Sequence, residues 1–241
     1  MNSFLTKWNR RPFPCSWSEL KNVRTSWSQF AEDLIATQLL GYEKTDGFYV
    51  DVGCFDPVTY SNTFMFYRRG WSGVCIDPNP KTAAAWRNVR PRDTMVTAAI
   101  SQRAGEALYA EFDSFPACNR VLPGARPERI RDLDPKPDRV SSIPVNPLGE
   151  ILRNHVPAGN RVNLMSIDCE GLDLEVLQSN DFKTFTPEVL IIEDHDLSPN
   201  SAIAQFASTV GLRFVAQALI SKIFVAADMP LSFAHGELRT A

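Results

Sequence analysis

The chain has 241 residues, 44% of them hydrophobic, and a formal net charge of -3. That length and apolar content allow one α/β domain with a sizeable core. So slight a negative charge gives no general pull toward nucleic acid or an anionic membrane, and no apolar run reaches the length of a membrane span.

In chain order, the basic residues Lys7, Arg10 and Arg11 open the chain without an apolar leader or cleavage site behind them, which argues against a secretory signal. Residues 16–40 carry helical spacing, in two pieces. In SQFAEDLIATQLLG, Phe30, Leu34, Ile35 and Leu39 recur at helical intervals, Ser28 can cap the start and Gly41 suits the stop. Residues 1–45 therefore read as an N-terminal helical segment packing on a domain that spans 46–241.

Five β-rich runs follow: GFYVDVG, SGVCIDP, TMVTAAIS, VNLMSIDCEG and EVLIIEDHD. Continuous apolar runs of this length fit strands buried on both faces of a parallel sheet. Helical stretches separate several of them. NPKTAAAWRNV has Asn79 as cap and Pro80 at the first helical position, GLDLEVLQS is a second, and SPNSAIAQFASTVG is closed by Gly211. The tail LRFVAQALISKIFVAAD holds two β-leaning runs with no helix between them, which predicts an antiparallel hairpin at the sheet edge. Strand–helix alternation ending in a hairpin predicts an open, doubly wound sheet.

Two compositional features stand out. Residues 113–142 hold five prolines (116, 123, 127, 135 and 137) and mixed charges, so the stretch cannot build a packed helix. It reads as a surface insertion, one whose arginines (Arg120, Arg126, Arg129, Arg131) are placed to touch a polar or anionic acceptor. The five cysteines (Cys15, Cys54, Cys75, Cys118, Cys169) are odd in number and form no C-x-x-C pair, which reads as reduced thiols in a cytoplasmic protein.

Ligands of open α/β sheets sit beyond the carboxyl ends of the strands. Here those ends are acidic: Asp51 before Gly53, Asp77, Asp168 with Glu170, and Glu193 with Asp194. A single terminal acid is usually a turn cap; four strand ends together suit a ligand that is cationic, rich in hydroxyls or metal-bound. A pyrophosphate would be repelled, and the first turn lacks the two further glycines of a dinucleotide fingerprint, offering Phe55 and Pro57 instead. Asp77 stands where an acid accepts hydrogen bonds from ribose hydroxyls in nucleoside-binding folds. A nucleoside without phosphates, such as S-adenosylmethionine, meets these conditions.

The blocks SQFAEDLI, GFYVDVGCFDPVTYSNTFMFYRRGWSGVCIDPNP, IPVNPLGEIL, LMSIDCEGLDLEVLQSNDF and VLIIEDHD, in this order, resemble the FkbM family of S-adenosylmethionine-dependent methyltransferases. The resemblance covers residues 26 to 226. It implies a class I methyltransferase (Rossmann-like) fold, with helices on both faces of a seven-stranded, mostly parallel sheet whose last strand is inserted antiparallel. It also implies O-methylation, in many members on a sugar hydroxyl of a glycan, lipo-oligosaccharide or glycosylated natural product. Carried onto this chain, Asp51 and Gly53 form the cofactor turn, Asp77 binds the ribose and Ile100 with Ser101 flanks the adenine. Ser61, Asn62 and Thr63 lie near the methionine end or the acceptor.

A sugar hydroxyl is a poor nucleophile until it loses its proton or its oxygen binds a cation. Two arrangements fit. In one, His195 or Asp168 is the base, with Glu193 beside them. In the other, Asp168, Glu193 and Asp194 hold a divalent cation, and three hard oxygen donors favour Mg²⁺ or Mn²⁺. That acidic pattern is similar to metal-dependent O-methyltransferases of the same fold. The expected partner is a small-molecule or glycan acceptor, not nucleic acid, with no integral membrane segment; a homo-oligomer is left open. The competing readings are a nicotinamide-dependent oxidoreductase, which needs the missing glycines, and a non-catalytic glycan- or protein-binding module on the same scaffold.

Overall fold

The computed structural model describes residues 18–114, 116–122 and 133–230. Cys15, Arg126, Arg129, Arg131 and the start of the expected N-terminal segment lie outside them. The main sheet has seven strands: β1 (Phe48–Val52), β2 (Ser72–Asp77), β3 (Thr94–Thr97), β8 (Leu164–Ile167), β9 (Val189–Glu193), β10 (Leu212–Ala218) and β11 (Ser221–Ala226). Their order is β10-β11-β9-β8-β1-β2-β3. The five strands from β3 to β9 run parallel, while β11 pairs antiparallel with both β9 and β10. The C-terminal hairpin is therefore present, with β11 inserted and β10 at the edge.

The reason is legible in β1. Phe48, Val50 and Val52 belong to one apolar cluster, while Tyr49 belongs to another on the opposite face. Helices cover both faces. Among the described residues they are, in chain order, α1 (Glu32–Leu40), α2 (Phe64–Arg68), α3 (Thr82–Val89), α4 (Leu148–His155), α5 (Asp173–Gln178) and α6 (Ala202–Thr209). The first three supply Ala36, Leu40, Phe66, Tyr67 and Trp86 to one cluster; the last three supply Leu148, Leu152, Val176, Leu177 and Ala207 to the other. Fully burying a side chain the size of Leu152 contributes roughly 1.5–3 kcal/mol, so the two layers hold the sheet rigid beneath its strand ends.

Several expectations are corrected. The region from 18 to 40 holds a 3₁₀ turn (Leu20–Asn22) and one helix, α1. Ser28 does not hold the N-cap position, although its Oγ accepts from the first-turn Asp33 N–H (3.3 Å). Ala31 takes that position in the left-handed region, and the buried Asp33 carboxylate gathers Ser26 Oγ (2.6 Å), Ser28 Oγ (2.9 Å) and the Trp27 N–H (2.8 Å) into a fixed loop. Helix α3 starts at Thr82, two residues later than Pro80 suggests, because the Asn79 side chain accepts from Lys81 N–H and closes a turn first. The third run splits: β3 stays in the main sheet, while β4 (Ala99–Ile100) leaves it.

The proline-rich stretch is not simply a surface insertion. With β5 (Gly105–Glu111), β6 (Arg120–Leu122) and β7 (Arg139–Asn146), strand β4 builds a second sheet, ordered β4-β7-β5-β6. Among the described residues no helix is long and apolar enough to cross a membrane, and Cys54, Cys75, Cys118 and Cys169 are free.

Candidate active site

The turn after β1 is shaped by close contact. Gly53 has φ 75°, and a Cβ there would lie 1.7 Å from the Asp168 carbonyl oxygen. Only glycine lets the ends of β1 and β8 touch. The Gly53 and Cys54 N–H groups both donate to the Ile76 carbonyl, at 2.9 and 3.3 Å. Phe55 then adopts φ 41°, a left-handed conformation that costs a non-glycine residue roughly 1–2 kcal/mol. A phenylalanine thus stands where a dinucleotide turn has its second glycine, and its N–H donates to Asp77 Oδ2 (3.1 Å).

Above this turn opens a cavity of about 340 Å³, lined by Asp51, Asp77, Asp168 and Glu193 together. Four strand ends of the main sheet deliver their acids to one space. Ala99, Ile100, Leu172 and Val176 give it apolar wall, and the second sheet contributes Tyr109, Asn119 and Arg120. Of the other expected residues, Ser61 and Asn62 line the cavity. Thr63 stands one layer behind, donating to Asp51 Oδ2 (2.5 Å). Ile100 faces the cavity, whereas Ser101 is not among its lining residues and donates its N–H to the Asn146 carbonyl (3.2 Å).

Burial sets the electrostatics. It pushes Asp77 up to about 6, against the restraining N–H groups of Asn79 and Phe55. It raises Asp51 as well, opposed by the Arg90 charge and the Thr63 hydroxyl. Asp168, Asp173 and Glu193 bring carboxylate oxygens within 4.8 Å of one another. Burial, then mutual repulsion, raises Asp168 and Glu193, and burial raises Asp173 to about 6. Asp168 is ringed by protein yet faces the open cleft, where water relieves part of its desolvation; the neighbouring carboxylates keep the direction upward. His195 Nε2 lies 3.4 Å from Glu193 Oε1, with its ring largely exposed at the cavity mouth.

Asp194 is not part of this convergence. It turns away to the buried Lys222 (2.8 Å) and accepts from Ser201 Oγ (2.5 Å), so its carboxylate is committed to a structural ion pair. The third acid of the cluster is Asp173, at the start of α5, which accepts from Cys169 N–H (2.8 Å) and Gly171 N–H (3.1 Å). Its sequence signal is an acid two residues past Gly171, in the first turn of a helix. Asn62 Oδ1 and Glu193 Oε2 are buried acceptors without a hydrogen-bond partner, and both residues line the cavity. Unpaired buried acceptors are costly, so they fit an occupant that brings donors or positive charge.

A mostly parallel seven-stranded sheet with its last strand inserted antiparallel, and an acid-rimmed pocket at the carboxyl ends, has the layout of a class I methyltransferase. The model of the methyltransferase FkbM domain matches residues 51–214, and the chain belongs to that family, as its sequence blocks suggested. Membership implies S-adenosylmethionine as the methyl donor. A TehB-like SAM-dependent methyltransferase from Corynebacterium glutamicum superposes with a TM-score of 0.41 and 9% identity, covering 92% of this chain and 96% of that one. No curated protein matches the chain.

Proposed function

We propose that the protein is a cytoplasmic O-methyltransferase that moves the methyl group of S-adenosylmethionine to a sugar hydroxyl of a glycan, lipo-oligosaccharide or glycosylated natural product, with a divalent cation assisting. The observation that carries this reading is the convergence of Asp51, Asp77, Asp168 and Glu193 on one cavity beside a turn too poor in glycine for a diphosphate.

Asp77 would accept the ribose hydroxyls, Asp51 would lie against the positively charged donor, and Ile100 would form the apolar wall for the base. S-adenosylmethionine supplies, when bound, a methyl group activated by a sulfonium. The chain's own part is to fix the attacking oxygen in line and to take its proton. His195, whose Nε2 lies 3.4 Å from Glu193 Oε1, is placed as that base, and its exposed ring can pass the proton to solvent. Mg²⁺ or Mn²⁺ would be held by Asp168, Asp173 and Glu193, where it would neutralise crowded negative charge and stabilise an alkoxide. The unpaired Glu193 Oε2 supports a ligand at that point. The residues before α1 and the β5–β6 part of the second sheet would form the acceptor side.

Calorimetry with S-adenosylmethionine, S-adenosylhomocysteine and NAD, followed by methyl transfer to a panel of glycosides with and without EDTA, tests the proposal. Binding of the first two alone, with turnover that EDTA abolishes and Mg²⁺ restores, is expected. Binding of none of the three would leave a non-catalytic scaffold, and undiminished turnover in EDTA would remove the cation.

A further inference from the structure

Arg90, immediately after α3, is fully buried, and every nitrogen of its guanidinium is engaged. Nε donates to Asp93 Oδ2 (2.7 Å), which balances the charge. Nη1 donates to the Pro57 carbonyl (3.3 Å) and Ser61 Oγ (3.2 Å); Nη2 donates to Tyr49 Oη (2.9 Å) and Thr63 Oγ1 (2.9 Å). The guanidinium also lies 4.2 Å from the centre of the Trp86 ring. One side chain thereby grips strand β1 and three points of the glycine-poor segment that leads from the cofactor turn into α2.

We propose that Arg90 is a positioning residue of the cofactor turn: it clamps residues 57–63 and, through the Thr63 hydroxyl, fixes the orientation of the Asp51 carboxyl group on the cavity wall. The direction of the hydrogen bonds follows from donor chemistry. A guanidinium has no acceptor, so Thr63 Oγ1 must accept from it, which leaves the single hydroxyl proton for Asp51 Oδ2 at 2.5 Å. A second relay has the same sense. Asn62 Nδ2 donates to Ser166 Oγ (3.1 Å), and Ser166 stands beside Asp51 in the β1–β8 register, where its hydroxyl favours the carboxylate. Asp51 is thus met from behind by the Thr63 hydroxyl as donor, and its remaining acceptor capacity is left for a ligand in the cavity. In a dinucleotide fold the turn is shaped by glycines and a helix N-terminus; here a buried cation does that work from the other side of the backbone. Nothing in the expected site residues pointed to it.

This inference rests on the cofactor reading above. The test is titration of S-adenosylhomocysteine into the wild type, Arg90→Lys, Thr63→Val and Thr63→Ser, with urea unfolding of each. Arg90→Lys keeps a charge but loses the fork, and it is at risk of not folding, so the threonine pair is the deciding comparison. Thr63→Val keeps the shape and removes the relay; it should weaken binding by about tenfold to a hundredfold, the span for losing a hydrogen bond to a charged group. Thr63→Ser restores the hydroxyl and should bind close to wild type. Wild-type affinity in Thr63→Val, or equal weakening in Thr63→Ser, overturns the role of Arg90 while leaving the donor intact. A wild type that binds no S-adenosylhomocysteine overturns the cofactor reading itself.

Discussion

Replacing Lys222 by Met removes the most completely buried ammonium among the described residues, and the size of the effect can be worked out. Lys222 sits in β11 with no solvent exposure. Its three N–H bonds are shared among Asp194 Oδ2 (2.8 Å), Ser201 Oγ (2.7 Å) and the carbonyls of Asp196 (2.7 Å) and Ser198 (2.6 Å). Methionine matches the stem but leaves Asp194 as an uncompensated buried carboxylate and strips two carbonyls of their donor. Breaking a buried pair from one side costs about 3–5 kcal/mol. Asp194→Asn leaves a cation that still has three oxygen acceptors, which places its cost nearer ~1–3 kcal/mol. In the double variant no charge is stranded, so its cost should fall short of the sum by at least about 1 kcal/mol. Urea unfolding of the four proteins measures this directly. Additive single costs, or a Lys222→Met penalty below about 1 kcal/mol, would refute the view that this pair fixes the segment carrying His195.

Three further outcomes are expected. Gly53→Ala should destabilise the protein by roughly 2–6 kcal/mol and abolish S-adenosylhomocysteine binding, because the new methyl meets the Asp168 carbonyl in a left-handed conformation; unfolding and titration report both, and wild-type stability would contradict the contact. Asp77 binds its proton more tightly folded than unfolded, so ionising it costs the empty protein up to about 3 kcal/mol as pH rises from the ordinary 3.8 toward about 6, while the anion is the form that accepts ribose hydroxyls. Cofactor affinity should accordingly fall as pH drops through about 6, and Asp77→Asn should bind weakly and lack this component on either side of that value. Finally, Glu193→Gln should weaken Mn²⁺ binding at least about tenfold, read by electron paramagnetic resonance, while Asp194→Asn leaves it unchanged; the reverse pattern would restore Asp194 to the ligand set.

The centre of the main sheet was legible because β1, β2, β8 and β9 are buried on both faces and therefore read as unbroken apolar runs, each with an acid at its end. The acids that converge were legible for the same reason: Asp51, Asp77, Asp168 and Glu193 mark strand ends, and parallel strands put those ends together. Position alone could not separate Glu193 from Asp194. Adjacent residues at a strand terminus face opposite ways, and only the presence of Lys222, 28 residues onward in β11, decides which one is taken. Arg90 was invisible for a related reason. In WRNVRPRD it reads as a solvated charge at a helix end, and its oxygen partners lie between 27 and 41 residues upstream, Asp93 excepted. The second sheet was hidden by composition: Pro135 and Pro137 stand just before β7 and Pro144 interrupts it, although Pro144 itself pairs with Glu106 in the ladder.

That second sheet changes how the pocket could be altered over evolutionary time. All the carboxylates that face the cavity come from the main sheet or its loops, while Tyr109, Asn119 and Arg120 reach the same space from β5, β6 and the residue before it. The two sources of side chains do not share a hydrogen-bonded ladder. Drift or recombination in the smaller sheet can remodel one wall and leave the acidic floor untouched, so new customers for the same chemistry become accessible without rebuilding the machine.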